Sequence, residues 1–581
     1  MGQKKHITHS LILFIYFGFS VLLGSPEKYH QEQEKQEIPK PAYEVEVVVT
    51  NVNVIVTDKD GKRITDLKPE NFEIYENGRL QKLSNFYEVK GMEVYAPLPE
   101  KKEEVHPPPA QPLPVKSSQF TNKIIFYFDN WQLHPMSRNW SIERLEKFIK
   151  NNFEIRDGHN EGMIICLSQK LEVIQGFTTN QWRLLDALKE VKKRSGQSLL
   201  QARAREDMQQ ELNRMISNTS LSDNKYESFQ RAMSLAKNFV EDEQNNLIYS
   251  LKSLNAVIEN LRGVDGKKIL IYVSEGLPLN PGEVVYDYID SAFAIGNARM
   301  EAMNYDATRI FKEFTARCNA SEITLYPINA RGLDSTILSA DKGEGWNVYK
   351  RGSGMVKATS RVRNAGLELM ANETGGVPIV DTNDIASGLS EITGDLQYYY
   401  SLGYVSPHRE EGKYLPIEVK LVGVEKKYDV RVRHGYVRVS LEDRIRESVS
   451  SRLYLPRLDN PLNVMVQMLP IKKKAHSSRR SLNIKFLIPI KNLTLYSEGD
   501  FYVGKIKAYI ALKDSKNHIS PCHELVEDIK IPTSDYEVAL KSSYPYIAEM
   551  YVEPGQYIIS MCIRDLVGDA LNYFQLQWDI D

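Results

Sequence analysis

Short apolar runs alternate with helical stripes through the middle of the chain. Lys123-Ile-Ile-Phe-Tyr-Phe-Asp129 is the first such run, rich in β-branched and aromatic residues and ending in a carboxylate. A run of this kind, followed by a helical pattern, predicts a buried parallel strand that opens an α/β domain. Met163–Ser168, Lys267–Ser274, Ile323–Asn329 and the short Val377–Val380 repeat the pattern, and Leu171–Gln175 reads as a neighbouring short strand. Between them, apolar residues fall on single helix faces: Leu184, Leu185, Leu188 and Val191; Leu247, Leu251, Leu254, Ile258 and Leu261; Ile385, Leu389, Ile392 and Leu396, with Asp384 as N-cap. Strand–helix alternation predicts a mostly parallel sheet with helices on both faces.

The flanks follow a different period. In residues 43–95, Val52, Val54 and Val56 alternate with polar residues, and the Asp58–Gly61 and Asn77-Gly78 turns predict a small β domain. Residues 463–581 alternate again, at Ile506, Ala508, Ile510 and Leu512 and at Tyr557, Ile559, Met561 and Ile563, which predicts a β-sandwich. Residues 96–122 form a proline-rich linker and 438–462 a connector. Two insertions interrupt the 123–437 domain. Residues 194–246 are polar and weakly helical, while 332–359 are rich in Gly, Ser and Lys and read as a long loop.

At the N-terminus, Lys4 and Lys5 precede an apolar stretch, Leu11–Leu23, that is short for a bilayer span, and the small residues Gly24 and Ser25 follow. Residues 1–25 are therefore expected to be a signal peptide, followed by a disordered leader over 26–42. The expected location is extracytoplasmic, periplasmic or secreted. Membrane attachment would arise only if the N-terminal segment stays as a single anchor. A net charge of −2 gives no basic field for nucleic acid. Four cysteines make neither a disulfide scaffold nor a zinc pattern. Cys522 and Cys562 share the C-terminal unit, where they read either as a pair or as two buried thiols. No nucleophile–base pair, G-x-S-x-G elbow or strand-borne phosphate loop occurs, so an enzyme is not expected.

Several blocks in order resemble the von Willebrand factor A-related proteins of acidobacteria and similar bacteria. They are Val52–Gly61 continuing to Leu67–Gly78, then Gly266–Gly276, then Glu373-Thr-Gly-Gly376 with Thr382-Asn-Asp384, Tyr399–Tyr404 and Arg433-His-Gly-Tyr436. The resemblance spans about Val45 to Val437. It implies a von Willebrand A-like (Rossmann-like) sheet and an extracytoplasmic, non-enzymatic binding or adhesion protein with a protein partner.

Fully equipped domains of that family hold a divalent cation through Asp-x-Ser-x-Ser, a Thr and an Asp at the carboxyl edge of the sheet. Here Asp129 is followed by Trp131 and Leu133 at the serine positions, Thr178 or Thr179 stands for the threonine, and Glu275 stands for the aspartate. The resemblance thus implies a degenerate metal site of Asp129, Thr178, Thr179 and Glu275. Asn130, Trp131 and Gln132 are partner-contact candidates, and Trp346 is a further aromatic anchor. No cofactor is expected. The alternative is a weakly held Mg²⁺ or Mn²⁺ that binds an acidic ligand through Asp129 and Glu275. A third reading is a hydrolase using the same two carboxylates.

Overall fold

The computed structural model describes residues 49–91, 93–95, 122–153, 160–219, 225–264, 266–296, 298–333, 353–408, 412–424, 426–453, 460–470, 472–473, 479–515 and 518–580. The expected signal peptide, leader, proline-rich linker up to residue 121, most of the Gly332–Thr359 loop and Trp346 lie outside these residues, and the end of that expected loop, from Ser353, is helix instead. Among the described residues, no helix is long and apolar enough to cross a membrane.

The apolar runs become a five-stranded sheet of β1 (Asn122–Asp129), β2 (Asn160–Leu167), β3 (Leu171–Thr178), β4 (Lys267–Ser274) and β5 (Ile323–Asn329), in the order β5-β4-β1-β2-β3. Every pairing is parallel except β2 with β3. The expected Val377–Val380 strand reduces to a single bridge between Ile379 and Ile328.

Both faces of the sheet are covered. Ile124, Phe126 and Phe128 of β1 share a core with α1 (Pro135–Asn152), α2 (Gln181–Lys192) and α9 (Ile385–Gln397). The alternate residues Ile125 and Tyr127 share another with α4 (Lys225–Leu261), α7 (Thr308–Ala320) and α8 (Ser353–Thr374). Period-two alternation in a sheet covered on both sides therefore appears as a continuous apolar run.

The 194–246 insertion is more than exposed helix. Leu212 of α3 (Ser198–Thr219) and Phe229, Ala232, Ala236 and Val240 of α4 pack against Val285, Tyr286, Ile289 and Phe293 of α5 (Glu283–Phe293) and against Ala298 and Ala302 of α6 (Ala298–Ala302). This is a separate small core.

The described part of the expected small β domain over 43–95 does not form a unit by itself. The strand Val49–Thr57 pairs antiparallel with Tyr398–Val405, which pairs on its other side with Leu83–Lys90. Phe72–Glu76 pairs with Tyr414–Leu421. The two antiparallel sheets share one core of Val52, Val54, Phe72, Ile74, Tyr400, Leu402, Tyr404 and Ile417. The strands after α9 thus belong with the N-terminal strands, because each group alone leaves an apolar face uncovered.

A buried polar joint ties this β unit to the α/β domain. Asp395 at the end of α9 is 1% exposed and accepts from both Arg431 nitrogens at 2.9 and 2.8 Å, from Tyr326 of β5 at 2.9 Å, and from Arg63.

Residues 463–580 form two antiparallel sheets around a shared core that includes Leu482, Ile484, Phe486, Ile506, Ile510, Ile559 and Met561. The expected connector holds a helix, α10 (Leu441–Arg452), capped by Ser440. One side of it packs on Tyr509, Cys562 and Tyr573 of this unit. Ser448 on it donates to the Gly263 carbonyl just after α4 at 2.7 Å.

Cys522 and Cys562 are both free thiols. Cys522 immediately precedes the strand His523–Pro532 and Cys562 lies in Gly555–Asp565, and these strands flank Phe501–Asp514 on opposite sides. Two strand spacings separate them by roughly 9.6 Å, beyond the reach of about 7 Å that a disulfide allows between Cα atoms.

Candidate functional site

Strand β1 delivers Asp129 to the carboxyl edge of the sheet, as its position at the end of an apolar run requires. The surrounding chain then seals it. Asp129 is 0% exposed. The Tyr272 hydroxyl of β4 donates to its Oδ2 at 2.6 Å, while Oδ1 makes no hydrogen bond among the described residues. Burial pushes its carboxyl up to about 6, opposed by Tyr272, by the neighbouring Ser250 hydroxyl and by the Gln132 and Trp131 amides.

The cover comes from α4 and from the start of the insertion. Ser250 lies on α4 and also accepts from Gln132 Nε2 at 3.0 Å. The chain after α2 passes so close that a Cβ on Gly196 would stand 1.9 Å from the Asn130 carbonyl oxygen.

The proposed ligands do not converge. Asp129 is in register with Leu167 at the carboxyl end of β2, whereas Thr178 is in register with Gly162 near its amino end. Five residues of strand separate those positions, roughly 16 Å. Because β3 runs antiparallel, it carries Thr178 and Thr179 away from Asp129 to the opposite edge of the sheet. Thr178 Oγ1 instead accepts from the Asn180 amide at 3.1 Å, in the turn that starts α2.

Glu275 does share the edge with Asp129, just past Ser274 of β4, and its Oε1 accepts from the His134 amide at 3.3 Å. Among the described residues, no group of three or more His, Cys, Asp and Glu stands close enough to hold a metal ion. The four residues therefore do not fit a divalent cation. Mg²⁺ needs near-octahedral oxygen ligands around one point, and the buried Asp129 leaves no face for a partner's carboxylate.

The contact candidates separate in the same way. Asn130 is 1% exposed and donates to the Arg194 carbonyl at 2.9 Å, so it fastens the cover rather than touching a partner. Trp131 is half-buried, donates to Asn246 Oδ1 at 3.1 Å, and packs on Tyr249 with ring centroids 4.6 Å apart. It anchors α4 and is not a free aromatic. Gln132, also half-buried, is the one of the three that lines a cleft.

The cleft, of about 190 Å³, lies between the carboxyl edge and the helical insertion. Gln132, Glu275, Gly276, Arg205, Glu243 and Arg363 line its polar side. Arg205 closes onto Glu243 with Nε and Nη2 at 3.1 and 2.9 Å from one carboxylate oxygen.

The loop carrying Glu275 is pinned to α8. The Leu277 amide donates to the Arg363 carbonyl at 2.8 Å, and the Gly366 amide to the Leu277 carbonyl at 3.1 Å. Gly276 has φ +104°, and a Cβ there would lie 2.9 Å from the Arg363 Cβ and carbonyl oxygen. Only glycine meets both conditions without displacing α8.

Sequence reasoning found Glu275 and Gln132 but missed Arg363, Arg205 and Glu243. A lone Arg in a helical stripe carries no signal by itself, and its placement depends on how α3, α4 and α8 meet.

No family model matches this sequence, and no curated protein matches it. Among solved structures it is distantly similar to pilus proteins. For the PilB minor pilin of Streptococcus sanguinis, identity is 11% over 60% of this chain and 86% of that one, with a TM-score of 0.22. For three N-terminal domains of the type V pili tip protein Mfa5 of Porphyromonas gingivalis, identity is 9% over 92% of this chain and 77% of that one, with a TM-score of 0.23. A β-glucuronidase of Bacteroides uniformis matches at 8% identity over 31% of this chain, covering only 19% of the enzyme, with a TM-score of 0.14. With TM-scores this low, neither fold nor function follows from these likenesses.

Proposed function

We propose that this chain is an extracytoplasmic, non-enzymatic protein-binding protein of adhesion type. Its central domain is von Willebrand A-like, and it docks a protein partner at the carboxyl edge of the parallel sheet without a metal ion. The observation that carries the reading is the division of that edge. Asp129 is sealed beneath Ser250 and Tyr272, while the cleft beside it stays open and is lined by Gln132, Glu275 and Arg363. Function in open α/β sheets gathers at the carboxyl ends of the strands, and the cleft there mixes apolar walls with charged groups that could orient a partner. The apolar N-terminal stretch Leu11–Leu23 supports export. Reading the protein as a binder and not an enzyme rests on the lack of a nucleophile–base pair in the sequence.

Site-directed photo-crosslinking tests this. A photoreactive residue replaces Gln209, which lines the cleft, or Ile547, which is 52% exposed on the C-terminal unit. Applied to the envelope fraction, the Gln209 probe should give a discrete protein adduct that the Ile547 probe does not. Identical adducts from both positions, or none from Gln209, would remove the edge as the docking surface.

A further inference from the structure

We propose that the cleft is a metal-free carboxylate site centred on Arg363, taking an acidic side chain or a chain-terminal carboxylate of a polypeptide. This deepens the docking reading above and rests on it.

Arg363 lines the cleft, and among the described residues its guanidinium makes no hydrogen bond or ion pair. Its neighbour Arg205 differs, being closed onto Glu243. A guanidinium presents donors in a planar fork that matches the two oxygens of a carboxylate. Its nitrogens are not among the buried unpaired polar atoms, so they face the cleft and are free to take a ligand. Burial and the positive charges of Arg331 and Arg205, opposed by Glu243 and Glu275, push the Arg363 guanidinium down to about 10. It is still charged at neutral pH, and the burial and like charges that oppose the cation favour an added anion beside it.

The acidic groups on the cleft limit which anion fits. Glu243 is held by Arg205, and Glu275 accepts from the His134 amide. Both still oppose a second negative charge on the ligand, which selects a single carboxylate over a phosphate dianion. Phe239, Val285, Tyr288 and Val362 wall part of the space, so an ion pair formed there is partly shielded from bulk water. A volume of about 190 Å³ suits one side chain. The backbone bonds between α8 and the Gly276–Leu277 turn fix the base of Arg363, so only its side-chain torsions have to be ordered by a ligand.

Ligand-observed NMR titrations of the full chain test the proposal. N-acetyl-glutamate α-amide supplies a side-chain carboxylate and N-acetyl-leucine a terminal one. The glutamine amide counterpart is the neutral control, and inorganic phosphate is the competing anion. Saturable binding is expected for at least one carboxylate probe, and the tighter of the two identifies the source. Affinity should fall by about tenfold in Arg363→Gln and less in Arg363→Lys, which keeps the charge but loses the fork. It should be unchanged in Arg361→Gln, an exposed position on the same helix. Melting curves of each variant separate lost binding from lost folding, and the Lys variant decides if the Gln variant unfolds.

Tighter phosphate binding, equal binding of the neutral amide, no carboxylate binding, or an unaffected Arg363→Gln would each overturn the proposal. A Gln209 crosslink that persists under saturating carboxylate probe sinks the carboxylate site and leaves docking intact. Carboxylate binding with no crosslink does the reverse.

Discussion

Replacing Asp129 with Asn separates a buried carboxyl from a metal ligand, because the two roles give opposite pH behaviour. Asp129 is fully buried, and its pKa rises from an ordinary 3.8 to about 6. That difference corresponds to ~3 kcal/mol. The sign follows from proton linkage. The folded state holds this proton more tightly than the unfolded one, so the contribution is fully present below about pH 4. It is lost as pH rises through about 6. A metal-bound carboxylate has a depressed pKa, and its contribution would instead grow as pH rises.

The assay is denaturant unfolding of wild type and Asp129→Asn from about pH 4 to about pH 8, followed by tryptophan fluorescence. Trp131 packs beside the site and reports on it. In the Asp129→Asn variant the amide nitrogen would fall where a carboxylate oxygen has no partner, which shifts the whole curve by about 1–3 kcal/mol independently of pH. The pH-dependent difference is therefore the readout, and other titrating groups cancel in it. The variant should gain ~3 kcal/mol relative to wild type between about pH 4 and about pH 7. Parallel curves, or a wild type that gains on the variant as pH rises, would refute the burial argument.

Asp395→Ala removes the one carboxylate shared by Arg63, Arg431 and Tyr326, and should destabilise the chain by about 3–5 kcal/mol in urea unfolding. Glu76 is 0% exposed and accepts from Tyr404, Tyr436 and Ser406 at 2.6, 2.7 and 2.7 Å. Glu76→Ala should therefore cost at least about 3 kcal/mol, and Glu76→Gln less, by the same measurement. Gly276→Ala should shift α8 and weaken carboxylate probe binding at the cleft while leaving circular dichroism in the far ultraviolet unchanged. Cys522 and Cys562 should both take up alkylating reagent after unreduced unfolding, read as two added masses, because their strands lie too far apart to bridge.

Local pattern carried much of the α/β domain. Ile124 to Phe128 announce a doubly covered strand, and the stripes at Leu184–Val191 and Ile385–Leu396 mark helices where they stand. What local pattern does not carry is pairing across long separations. Val52 sits beside Leu402 in the sheet, and nothing in either segment names the other. The direction of β3 was hidden for the same reason: Leu171–Gln175 reads as a strand, but only its hairpin with β2 shows that Thr178 leaves the site. The end of β1 was readable as the place of Asp129. Its burial was not, since Ser250 and Gly196 cover it from 121 and 67 residues further along the chain. Arg363 left no mark in sequence because its role depends on what fails to pair with it.

The most direct test of a metal-free docking edge is the Gln209 photo-crosslink repeated with EDTA and with added Mg²⁺ or Mn²⁺. Equal adduct yield in all three conditions, and in Asp129→Asn, is the expected result. A yield that rises with the cation, vanishes in EDTA and is lost in Asp129→Ala would contradict it.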